Sequence, residues 1–165
     1  MIIKKHNTDL YNTLLILSRN TFFYKKLNIP DNFESRLYLM FFHFSIMMIV
    51  SKKKGIKFEQ KSYDSLFHNI ENNLRELGFG DVAVNKKMKE FNKVLYDILL
   101  KLDLKTDKED EIEINLKTIS KYFTETNDKK STLNNEIKRY LSNFYHFCFE
   151  LPLKNMIREA INFKY

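Results

Sequence analysis

Residues 37 to 50 read "LYLMFFHFSIMMIV", and what this stretch does decides the fold. It is apolar almost all round, which suits either a membrane span or a helix buried inside a protein. A span needs about 20 consecutive apolar residues to cross the hydrocarbon core. Here Arg36 stands before the run, Lys52, Lys53 and Lys54 close it, and His43 and Ser45 interrupt it. The stretch therefore predicts a buried central helix over about 32–54. Asp31 is a candidate to cap its start, and Gly55 suits its end because glycine accepts the left-handed conformation that closes helices. The lysine triplet faces the negative end of the helix dipole and needs no ligand to explain it.

Working outward, the chain has 165 residues, 44% of them hydrophobic, with fifteen phenylalanines and nine tyrosines. Only three glycines and two prolines are present, which leaves little material for hairpins. An all-α single-domain bundle over 1–165 follows, with six or seven helices around the central one. The first helix is expected over about 8–24, with Thr8 or Asp9 as cap, before Pro30 breaks the chain. A third helix is expected over 62–77 with Tyr63, Leu66, Phe67, Ile70, Leu74 and Leu77 on one stripe. A fourth over 85–102 has Met88, Phe91, Leu95, Ile98 and Leu102 as its packing seam. After a polar connection at 103–113, helices are expected over 114–123 and 132–150. The second of these points Leu133, Ile137, Leu141, Phe144 and Cys148 inward. Pro152 then opens a last helix that ends near Phe163.

The net charge of +7 is concentrated at the front. Residues 1–60 carry ten Lys or Arg against four Asp or Glu, a net +6, while 106–130 carry five against seven, a net −2. Such a basic third fits RNA, an anionic membrane or an acidic protein, with nothing that points to DNA. The four histidines do not pair at helical spacing and Cys148 is alone, so no metal site and no cofactor is expected. His43 reads as a core or groove histidine bonded to a backbone carbonyl. No phosphate loop and no nucleophile elbow is present, so an enzyme is not expected. No signal peptide or presequence is evident, which gives a cytoplasmic expectation and makes a mitochondrial matrix location the less favoured one.

Two of the three glycines fall together in "LRELGFGDVAVNKKMKEF", residues 74 to 91. This stretch resembles the signature of the ubiquinol–cytochrome c chaperone family through Arg75, Glu76, Leu77, Gly78, Gly80, Asp81, Lys86, Lys87, Met88 and Lys89. A second block, "SRNTFFYKKLNIPDNFESRLYLMFFH" at 18–43, is similar to that family's N-terminal half, with Phe23, Tyr24, Leu27, Pro30, Asp31, Arg36 and His43 at matching places. The resemblance covers about 11–102. Where the family often shows Tyr-Gly-Arg in the following helix, this chain keeps only Tyr96.

The resemblance implies an all-helical, non-catalytic chaperone for assembly of the cytochrome bc1 complex, with newly made cytochrome b as client before or during haem insertion. It further implies the ribosome and a small partner subunit as partners, at the cytoplasmic face of a bacterial inner membrane. Arg36, His43, Arg75, Gly78, Gly80, Asp81, Lys86, Lys87, Met88 and Lys89 are then the expected partner-binding residues. Physically, Gly78 is expected to close the third helix with positive φ, Gly80 to permit close backbone approach, and Asp81 to turn onto Arg75 or nearby amides. Met40, Met47, Met48 and Met88 are candidates for an adaptable apolar groove. Two rivals remain beside this reading. One is a basic helical adaptor for RNA or ribosomes. The other is a peripheral membrane protein anchored by the central helix.

Overall fold

The computed structural model describes residues 5–104, 111–123 and 130–165. Parts of the expected connections, 105–110 and 124–129, lie outside the described residues. The fold is all-α, and the described residues form seven α-helices and no strand beyond one isolated bridge between Asp103 and Ile114.

Helix α1 (Lys5–Ser18) starts earlier than expected and buries Leu10, Leu14 and Leu17, the spacing of one helical face. It does not continue to Tyr24. The Ser18 hydroxyl turns back onto the Leu15 carbonyl at 2.9 Å, and the Asn20 side chain accepts the Phe22 amide at 3.0 Å. Residues 22–26 then form a π-helical turn that buries Phe23, and Asn28 takes φ 56°, a conformation asparagine tolerates well. Local side-chain bonds to backbone outcompete the helix here.

Helix α2 (Phe33–Lys53) is the central element. Asn32 rather than Asp31 caps it, accepting the Ser35 amide at 2.9 Å, while Asp31 pairs with Arg36 at 3.3 Å. At the other end Gly55 has φ 75°, its amide donates to Lys52, and the Ile56 amide donates to Ser51. Those two bonds make a Schellman closure. The helix is long and apolar enough to cross a membrane, yet 67% of its most apolar window is buried within the protein. It packs against α1, α4 (Asp81–Lys101) and α6 (Lys130–Glu150), and Phe41 stacks on Phe67 of α3 (Gln60–Glu76).

Two of the three lysines closing α2, Lys53 and Lys54, are occupied within the bundle, while Lys52 is exposed. Lys53 donates to the Glu111 carbonyl at 2.6 Å, lies 3.4 Å from Asp103 and covers the Tyr145 ring. Lys54 donates to the Leu151 carbonyl at 3.0 Å and covers Phe149. They tie α2 to the connection after α4 and to the end of α6, which leaves less free charge here than the sequence promises.

Helix α3 buries Leu66, Phe67, Ile70 and Leu74 as expected, but Leu77, placed on the same stripe by periodicity, is 59% exposed. Helix α4 begins at Asp81, four residues before the expected start, with Phe91, Leu95 and Ile98 buried along its seam, Leu102 buried just beyond its end, and Met88 half-buried. Helix α5 (Leu116–Tyr122) is anchored by Asp97 of α4, whose carboxylate meets Lys101 at 2.7 Å, Lys121 at 2.9 Å and the Tyr122 hydroxyl. Burial works to raise the Asp97 pKa, but these bonds outweigh it and hold the group well below the usual carboxylate range.

All five inward positions of α6 are buried, and burial pushes the Cys148 thiol far up, so it stays a neutral core group. The expected last helix is broken instead. Pro152 precedes a 3-10 turn at Leu153–Asn155, and α7 (Met156–Glu159) runs into a second such turn at Ala160–Asn162. Thr13 of α1 donates to the Ile157 carbonyl at 2.8 Å, drawing this segment onto α1.

Candidate functional site

Gly78 closes α3 with φ 97°. Its amide donates to Arg75 and the Phe79 amide donates to Leu74, a second Schellman closure like the one at Gly55. Arg75 then reaches across the turn to Asp81, the first residue of α4, and also holds Glu71 at 3.1 Å. The turn is therefore clasped at both ends. Gly80 plays another part than expected. It is the N-cap of α4 with φ −77° and ψ 169°, and a Cβ added there would meet nothing within 4 Å. Close backbone approach at Gly80 is thus corrected.

The clasped turn projects from the bundle. Every residue from Arg75 to Val82 is exposed, including Leu77 at 59%, Phe79 at 39% and Val82 at 85%. Lys87 covers the Phe79 ring at 5.0 Å, and Lys86 and Lys89 stand in water on the first turns of α4. Leaving Leu77 and Val82 in water, and Phe79 partly so, forgoes up to roughly 1.5–3 kcal/mol each relative to full burial. A folded chain recovers that cost when a partner covers them.

Beside the turn lies a half-open cleft of about 260 Å³ between α1, α2 and α3. Leu15, Phe33, Leu37, Met40 and Ile70 supply its apolar surface. Arg19, Arg36, Glu76 and Leu77 also line it. Leu77 belongs to both features, so turn and cleft form one continuous surface. Tyr11 and Asn73, hydrogen-bonded to each other, complete a polar wall.

Of the residues expected from the sequence, Arg36 lines the cleft, while Arg75, Gly78, Gly80, Asp81 and Lys87 build the turn. Lys86, Met88 and Lys89 follow on α4. His43 stands apart. It has no exposed surface, so its place on a contact surface is corrected. Its Nδ1 donates to the Leu39 carbonyl at 2.6 Å, which leaves Nε2 to accept from the Tyr140 hydroxyl at 2.8 Å. Burial lowers its pKa to about 4, against a smaller upward pull from the Leu39 bond, so the ring stays neutral near pH 7. Met47 is likewise wholly buried and offers no groove surface, whereas Met40 does reach the cleft. The sequence reading missed Arg19 and the exposure of Leu77, Phe79 and Val82. The signal for the last three was a set of bulky apolar residues crowded around two glycines, although periodicity assigns Leu77 to the stripe of the third helix. Among the described residues no group of three or more His, Cys, Asp or Glu is placed to hold a metal.

A family model described as ubiquinol-cytochrome C chaperone matches residues 25–119, more than half of the chain. The chain belongs to this family. The ubiquinol–cytochrome c chaperone match takes in Arg36, the whole clasped turn and Lys86 to Lys89, while Arg19 lies outside it. Membership supports a chaperone role in assembly of complex III, the ubiquinol–cytochrome c reductase. Comparison with curated proteins and with solved structures returned no match.

Proposed function

We propose that this chain is a non-catalytic assembly chaperone whose client is newly made cytochrome b, held before or during haem insertion. The observation that supports this most is the coincidence of two features. The family match covers the clasped turn, which exposes three large apolar side chains, and that turn adjoins an apolar cleft through Leu77. A client with long apolar segments needs a holder that covers such segments for a time, and an exposed apolar lip beside a cleft is suited to that task. The working location proposed is the cytoplasmic face of a bacterial inner membrane, where a membrane client emerges. The ribosome and a small partner subunit are further proposed partners.

Neither rival gains from the geometry. An anchor made of α2 would have to strip away the core it forms. An RNA adaptor loses part of its charge, because Lys53 and Lys54 are used within the bundle.

A photo-crosslinking side chain placed at Val82, the most exposed apolar residue of the turn, tests the client. The proposal expects adducts with cytochrome b in growing cells. Adducts confined to ribosomal RNA or lipid would overturn it.

A further inference from the structure

Arg19 lines the cleft and has no ion-pair partner among the described residues. Arg36, its neighbour in the cleft, is held only by a solvated pair with Asp31 at 3.3 Å and a long bond to the Asn32 carbonyl at 3.4 Å. Such solvated pairs are weak and readily exchanged for a better partner. Two guanidinium groups thus border an apolar cleft without strong ties, while the α3 side presents Glu76. The volume, about 260 Å³, lies just under the usual small-molecule range of roughly 300–1,000 Å³. It suits one or two anchoring side chains rather than a whole cofactor. Beyond Leu77 the surface continues as the exposed apolar turn, which lengthens the contact without deepening it.

We infer that this cleft receives the apolar face of an amphipathic helical segment whose acidic flank meets Arg19 and Arg36. The inference rests on the chaperone reading and specifies the chemistry of the segment that is held. Apolar anchors enter between Leu37, Met40 and Ile70, and further apolar residues of the same face lie over Leu77, Phe79 and Val82. The carboxylates bind the guanidinium groups in charge-assisted hydrogen bonds, which are the strong ones and fix orientation. Glu76 on the other helix disfavours the reversed arrangement, so polarity as well as apolarity is read.

The test uses the full chain and two synthetic helical peptides of about fourteen residues, with leucines at i, i+3, i+4 and i+7. One peptide carries two glutamates beside the apolar face and the other carries two lysines there. Fluorescence anisotropy is expected to show the glutamate peptide bound about tenfold more tightly than the lysine peptide. The Arg19→Glu, Arg36→Glu double variant, whose changes are on the surface, is expected to reverse that order. Val82→Asp is expected to weaken both peptides. Equal affinity for the two peptides, no effect of the double variant, or binding of neither peptide would overturn the inference. Vesicles of phosphatidylglycerol and phosphatidylcholine form the second arm. Binding to vesicles alone, lost in the same double variant, would assign the surface to lipid and also overturn it. The chaperone reading fails separately: if the double variant restores complex III in cells lacking the gene, the reading stands and the inference falls.

Discussion

The Tyr140 hydroxyl donates to Nε2 of His43 at 2.8 Å, joining α6 to the centre of α2 across 97 positions of sequence. Both side chains are fully buried, and Phe23 and Phe144 close on the His43 ring at 5.9 and 4.9 Å. The bond fixes one neutral tautomer in an aromatic core. Tyr140→Phe leaves the ring nitrogen with no donor, and a buried acceptor left unsatisfied costs about 1–3 kcal/mol. Thermal melting should show a lower Tm with an unchanged helical signal. A Tm equal to that of the parent would contradict this account of the pair.

The same histidine sets a pH dependence. Its folded pKa, about 4, lies below the unfolded value of about 6.5. The unfolded chain therefore binds the proton first, and stability falls as pH drops from about 6.5 towards 4 and levels off below. The full effect is about 3 kcal/mol. Urea unfolding at pH 7, 6 and 5 should show the decline, and His43→Gln should flatten it. Equal slopes in parent and variant would remove His43 as the source.

The two glycines of the turn should respond in opposite directions. Gly78 has φ 97° with open space around it, so a side chain there costs about 1–2 kcal/mol through backbone conformation, not through a clash. Gly80 is an N-cap without a side-chain bond, in extended conformation and open space. Gly80→Ser should add the missing cap bond and gain roughly a few tenths of a kcal/mol, since glycine is already a fair cap, while Gly78→Ser should lose stability. Denaturant midpoints check both, and a loss at Gly80 would refute its role as a cap.

On α4 the lysines divide by their surroundings. Lys86 and Lys89 are exposed, whereas Lys87 covers Phe79. Lys86→Glu with Lys89→Glu should weaken partner capture while Tm moves by less than about 0.5 kcal/mol in equivalent stability. Undiminished capture would remove this face of α4 from the site.

Asp97 is the counterpart of His43 among the acids. Its pKa is depressed, so its contribution is present above the unfolded carboxylate pKa and is lost as pH falls through the folded one. Asp97→Asn should loosen α5 and cost about 1–2 kcal/mol near pH 7, since Lys101, Lys121 and Tyr122 all lose a charged acceptor. Faster amide exchange over 116–122 would report it, and unchanged exchange would speak against the anchor.

The central helix was legible because a fourteen-residue apolar run between basic residues has few other solutions, and α6 because its spacing is regular over five turns. The end of α1 was not legible, since Ser18 and Asn20 break it through bonds that periodicity does not record. The last helix fails for a comparable reason, a long-range bond from Thr13 that sequence spacing cannot anticipate. Within the site, Gly78 and the Arg75–Asp81 clasp were readable because their chemistry is local. The cleft was not, because Leu15, Met40 and Ile70 meet only after three helices pack. His43 was read as a core or groove histidine bonded to a carbonyl, and family likeness also put it on the contact surface; its full burial selects the core.

The central claim is a chaperone role in complex III assembly with cytochrome b as client, and deletion of the gene tests it most directly. Cytochrome b and assembled complex III are quantified beside a second respiratory complex in the same membranes. The account predicts a selective loss of both, restored by the intact gene but not by one carrying Leu77→Asp and Val82→Asp. Normal complex III in the deletion strain would contradict it.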